Sequence, residues 1–129
     1  MVQKSRQPAE RTTLTPAVFY LLLALSEGER HGYELMKKVT RDSGGALQMG
    51  PGTLYGSIKR MLKQGLIEEA DERADSVLGD ERRRYYRITE AGRTALTAEL
   101  TRFACALDVA GTRRLVKGTV VKRVKPATL

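Results

Sequence analysis

The chain contains no tryptophan, two phenylalanines, one cysteine and one histidine among its 129 residues. With Cys105 alone there is no partner for an intrachain disulfide, which fits a reducing compartment. One histidine and one cysteine are too few for a metal-ligand cluster, and no serine has a base in reach by motif. A phosphate-cradling Gly-x-x-x-x-Gly-Lys loop is absent, and so is a pair of catalytic carboxylates in a plausible pocket. The chain therefore reads as a non-enzyme, with no catalytic residue, no metal and no cofactor. His31 reads as a helix-start residue, and Cys105 as a small buried or half-buried side chain. The longest apolar run, residues 17–25, is nine residues, where a membrane span needs about 20. A soluble chain with no membrane partner is expected. That run is no signal peptide either, because Glu10 precedes it and no small-residue cleavage site follows before Gly28.

Acids are also in short supply, 15 against 23 lysines and arginines, a net charge of +8. A balance of this sign and size favours nucleic acid or another anionic surface. The length suits one domain with one modest core and an extra element.

The shortage of acid is sharpest in residues 49–65. Gly50 suits a helix N-cap, Pro51 the first helical position, and Gly65 a left-handed C-cap, so a helix is predicted from about Pro51 to Gln64. Leu54, Ile58, Met61 and Leu62 recur at i, i+4, i+7 and i+8 and face a core. The opposite side carries Gly52, Thr53, Gly56, Lys59, Arg60 and Lys63, with no carboxylate. A merely solvated face mixes both signs, so this one points to a polyanion, and its glycines let a backbone or base edge come close.

Around this helix the chain reads in order as a winged helix-turn-helix. Residues 1–13 form a flexible basic arm. Thr15 and Pro16 start a first helix that ends near Glu27-Gly28 and is apolar on nearly all faces, which hints at a second chain covering part of it. Tyr33 to Ser43 form a second helix, with Leu35, Met36 and Val39 inward and Gly44-Gly45 ending it. Residues 66–70 and 82–88 are two strands of a hairpin. The loop between them is acidic at its tip, so Arg73, Arg82, Arg83 and Arg84 near the wing base are expected at phosphates. Thr89 caps a last helix along which Leu96, Leu100, Phe103, Leu107 and Ala110 make a heptad-like seam suited to a symmetric dimer. Six cations and no acid follow Val109.

The expected class is mainly α with a small β-hairpin. Its parts are an arm (1–13), a winged helix-turn-helix domain (14–88), a C-terminal dimerisation helix (89–117) and a basic tail (118–129).

Three blocks carry a resemblance to a known family. They are residues 14–19 with His31-Gly32-Tyr33-Glu34-Leu35; Gly50-Pro51-Gly52-Thr53-Leu54-Tyr55; and Gly65-Leu66-Ile67-Glu68 with residues 84–92. In these the chain resembles the PadR family of bacterial transcriptional regulators over about residues 14 to 107, in its small form with a single C-terminal helix. The resemblance implies a homodimeric, cytosolic winged-helix repressor whose third helix enters the major groove of double-stranded DNA. Tyr33, Thr53, Tyr55, Lys59 and the wing arginines would meet the DNA. Arg60 is the sharpest candidate for a bidentate contact to guanine. The resemblance also implies a small-molecule effector. Phe19, Tyr20, Phe103 and Leu107 could line its site or, with Leu100, form the dimer core, and the core is the preferred reading. The alternative function is a winged-helix adaptor whose basic face meets an acidic protein partner.

Overall fold

The computed structural model describes residues 14–70, 73–74 and 82–116. The basic arm, the wing tip, the basic tail and the side chains of Arg73, Arg82 and Arg83 lie outside the described residues. The described residues form four helices, α1 (Pro16–Leu25), α2 (Gly32–Asp42), α3 (Pro51–Lys63) and α4 (Glu90–Thr112). Five short strands accompany them: β1 (Arg30–His31), β2 (Ile67–Glu69), β3 (Arg73–Ala74), β4 (Arg82–Arg83) and β5 (Tyr85–Ile88).

Local chemistry sets the helix ends. The Thr15 hydroxyl accepts from the Val18 N–H at 3.2 Å, with Pro16 next in the first helical position. α1 stops at Leu25, two residues before the expected end, where the Ser26 hydroxyl turns back onto the Leu23 carbonyl. α2 and α3 each finish in paired 6→1 and 5→2 hydrogen bonds around a glycine with positive φ, Gly44 (66°) and Gly65 (77°). That geometry satisfies the last carbonyls, and glycine adopts it without a Cβ penalty.

α1 runs through the core. Leu21, Leu22 and Leu25 pack with Leu35 and Val39 of α2, Leu54, Ile58 and Met61 of α3, Ile67, Tyr86 and Ile88 of the sheet, and Leu96 of α4. Removing that much apolar surface from water is the main stabilising term. Phe19, expected at a dimer interface, is 7% exposed and belongs to this core, edge-on to half-buried Tyr20 at 5.0 Å. A second chain would find little of Phe19 left to cover.

The sheet has order β1-β5-β2, all antiparallel, with Ile67 opposite Ile88 and Arg30 opposite Tyr86. β1 was not expected: the sequence pattern places no strand between the first two helices. The expected hairpin is also divided: β2 pairs β5, while β3 and β4 pair separately as a two-stranded ribbon. On the outer side Arg87 staples the sheet, its Nε 2.7 Å from Glu68 and its Nη1 2.9 Å from Glu29.

Thr89 joins two helices. Its hydroxyl donates to the Gly65 carbonyl at 2.6 Å and accepts the Gly92 N–H at 3.0 Å, tying the end of α3 to the start of α4. Gly92 lies so close to the Leu66 carbonyl that a Cβ there would overlap it.

The chain divides into two compact units, the first ending at Leu96 and the second beginning at Thr97. In the second, Leu100, Phe103 and Val109 are exposed and Leu107 is half-buried, while Arg102 pairs with Glu99. Cys105 is exposed, not buried or half-buried as its residue type suggested. α4 ends with Arg114 in the left-handed region, φ 62°, under the same pair of bonds that close α2 and α3.

Candidate nucleic-acid interface

α3 turns its two sides to different surroundings. Leu54, Ile58 and Met61 are buried, and Leu62 packs against the same core. Gly52, Thr53, Lys59, Arg60 and Lys63 are exposed, and Gly56 is half-buried. The three cations thus share one outward side, as their spacing implied.

Several other cations of the domain sit against carboxylates. Arg30 and Lys38 meet Glu27 at 3.1 and 2.7 Å, and those two contacts hold the exposed Glu27 carboxyl below its usual range, Lys38 contributing most. Arg84 meets Glu69 at 3.3 Å, so this wing-base arginine already has a carboxylate, and Arg87 has two. Among the described residues no carboxylate pairs with Lys59, Arg60 or Lys63. Their charge is available to a partner.

Arg60 is nonetheless not loose. Its Nη2 reaches the Ser57 hydroxyl at 3.4 Å, and its Nη1 lies 3.9 Å from where a Cβ on Gly56 would stand. Ser57 is completely buried among the apolar residues of α3. The sequence pattern did not single it out, because Ser57 falls at the edge of the apolar arc, next to Met61 and on the side of Arg60, and a hydroxyl was not counted with Leu54, Ile58 and Met61.

Tyr55, on the flank of α3, is 49% exposed, yet its hydroxyl is set against the backbone of Gly32, where any Cβ would overlap it. One half of the ring faces outward and the other half spaces α3 from the start of α2. There His31 caps α2 in a reciprocal box: Nδ1 accepts the Glu34 N–H at 3.3 Å, and the His31 N–H donates to the Glu34 carboxylate at 3.3 Å. The helix-start reading of His31 holds, but the residue also sits in β1 and stacks edge-on against Tyr85 at 5.3 Å. The next residue, Tyr33, is 48% exposed and carries the Lys37 ammonium over its ring at 4.7 Å. In the backbone register of the β3–β4 ribbon, Arg73 is paired with Arg83 and Ala74 with Arg82.

Among the described residues no group of three or more His, Cys, Asp or Glu could hold a metal ion, and no helix is long and apolar enough to cross a membrane. Residues 21–98, more than half the chain, match the transcriptional regulator PadR-like family. The chain belongs to the PadR-like family of transcriptional regulators. It is 32% identical over 80 residues to the transcriptional regulator Rv3488 of Mycobacterium tuberculosis, covering 62% of this chain and 68% of that one. It is 34% identical over 83 residues to a 37.1 kDa protein of a Streptomyces fradiae transposon, 64% of this chain but only 21% of that relative's length. The PadR-like regulator of Bacillus cereus superposes with a TM-score of 0.62 at 27% identity, over 78% of this chain and 92% of that one. Bacillus subtilis PadR, solved with operator DNA, shares the fold at a TM-score of 0.55 and 19% identity, over 64% of this chain and 45% of that one. The PadR-like match runs from within α1 through the winged helix to the start of α4, and the family is one of transcriptional regulators, not enzymes.

Proposed function

We propose that this PadR-like regulator is a repressor that binds a palindromic operator as a homodimer, with α3 of each protomer in the major groove. The observation that carries the reading is the outward side of α3, with Lys59, Arg60 and Lys63 exposed and, among the described residues, no carboxylate paired with them. Gly52, Thr53 and Gly56 keep that side slim enough for a duplex to approach. Tyr33 and Tyr55 flank it, and Arg73, Arg82 and Arg83 of the wing are assigned to the sugar–phosphate backbone. The operator-bound state of Bacillus subtilis PadR, a shared fold, supports the same use.

The seam of α4, with Leu100, Phe103 and Leu107 and with Tyr20 of α1 as a further candidate, is assigned to the two-fold contact. Two recognition helices related by a dyad then meet half-sites about one helical turn apart. Relief of repression by a small molecule belongs to this reading and rests on the family resemblance.

Selection of bound sequences from a random DNA pool, followed by a footprint of the winner, tests the proposal. A two-fold symmetric site with protection about one turn apart is the expected result. Enrichment of no sequence would overturn it in favour of an acidic protein as the partner of the same basic side.

A further inference from the structure

We infer that Ser57 is a positioning residue that aims the Arg60 guanidinium at the base it reads. The inference rests on the reading of α3 as the DNA-recognition helix and goes beyond it.

A hydroxyl in the apolar stripe of α3 is an unfavourable choice unless it is bonded, because burying a bare polar group costs free energy that an alanine would not. Ser57 is 0% exposed, at the edge of that stripe, and it receives the Arg60 Nη2 at 3.4 Å. Long side chains on a helix lean toward its N-terminus over the residues three and four positions earlier. For Arg60 those are Ser57 and Gly56. The Nη1 lies 3.9 Å from where a Cβ on Gly56 would stand, so the guanidinium runs along the helix surface over both positions.

The holder is neutral. A carboxylate in the place of Ser57 would fix the guanidinium and also cancel its charge, whereas a hydroxyl restrains its rotation and leaves the charge and most of its five donors for a partner. A planar fork that already faces the N-terminal half of α3, the end that meets base edges in this fold class, loses less freedom on pairing with guanine O6 and N7.

The test uses the full chain, the duplex selected from the random pool, and copies of that duplex with single 7-deazaguanine replacements, which remove N7. At one guanine the replacement weakens the unmodified protein about 10-fold. Ser57→Ala is expected to shrink that penalty to about 3-fold or less, to leave affinity for random DNA unchanged, and to have no further effect on the penalty in an Arg60→Ala background. Should the alanine form melt early, Ser57→Cys keeps the size, offers a poorer acceptor and is expected to lose discrimination in the same way. A folded Ser57→Ala or Ser57→Cys protein that keeps the full penalty would overturn the positioning role. So would an equal effect of Ser57→Ala with and without Arg60. Failure of the underlying reading looks different: Arg60→Ala itself would then keep the full penalty.

Discussion

At the scale of single residues, the points most sensitive to change are those where the backbone of one element touches another. Gly92 is the clearest. A methyl group there meets the Leu66 carbonyl, a backbone atom that cannot step aside, and stands 2.8 Å from Ile88 Cγ1. Gly92→Ala is expected to cost about 3 kcal/mol, the upper end of the overpacking range, and urea unfolding would show it as a lowered midpoint at constant slope. Tyr86 gives a second check. Burial raises its phenol above the ordinary value of 10.0, with Glu69 adding to the shift. A group with a raised folded-state pKa contributes stability below its unfolded value that is lost as pH rises through the folded one. Thermal stability should therefore fall above about pH 10, and Tyr86→Phe should flatten that alkaline limb while leaving the neutral region with a near-constant offset.

Among the elements, α3 was the most legible in the sequence. Gly50-Pro51 and Gly65 mark its ends, and a single i, i+4, i+7 stripe divides its faces, so its boundaries and its outward cations are found as expected. α2 and the start of α4 were legible for the same reason: a capping side chain and a stopping glycine are local signals. β1 was not, because two residues have no periodicity and Arg30 and His31 become a strand only by pairing with Tyr86 and Tyr85 far along the chain. The split of the wing into two ribbons likewise depends on pairing, which composition does not encode. Ser57 and Cys105 were misjudged by residue type, one a hydroxyl placed inside and the other a thiol placed outside. The close of α4 makes a further prediction. Arg114 takes a left-handed conformation that costs a residue with a Cβ about 1–2 kcal/mol. Arg114→Gly is expected to recover about 0.5–1 kcal/mol of that, read as a higher helix-unfolding midpoint by circular dichroism.

For the molecule as a whole, the proposed account joins a recognition helix to a two-fold partner. Phe103, 44% exposed on the α4 seam, is the residue at which that partnership is most easily broken. Phe103→Asp is expected to convert the protein to a monomer in analytical ultracentrifugation. Operator affinity should then fall about 100-fold, the lower end of what two linked sites contribute together. A variant that remains dimeric would move the two-fold contact away from α4.

The central claim, that the outward side of α3 meets the duplex, is tested most directly by the salt dependence of binding for Lys59→Ala/Lys63→Ala. Each lysine that neutralises a phosphate releases about 0.9 of a counterion. The account predicts that the double variant flattens the slope of log affinity against log salt by about 2 and weakens binding to every sequence alike. A slope and affinity equal to those of the unmodified protein would contradict it.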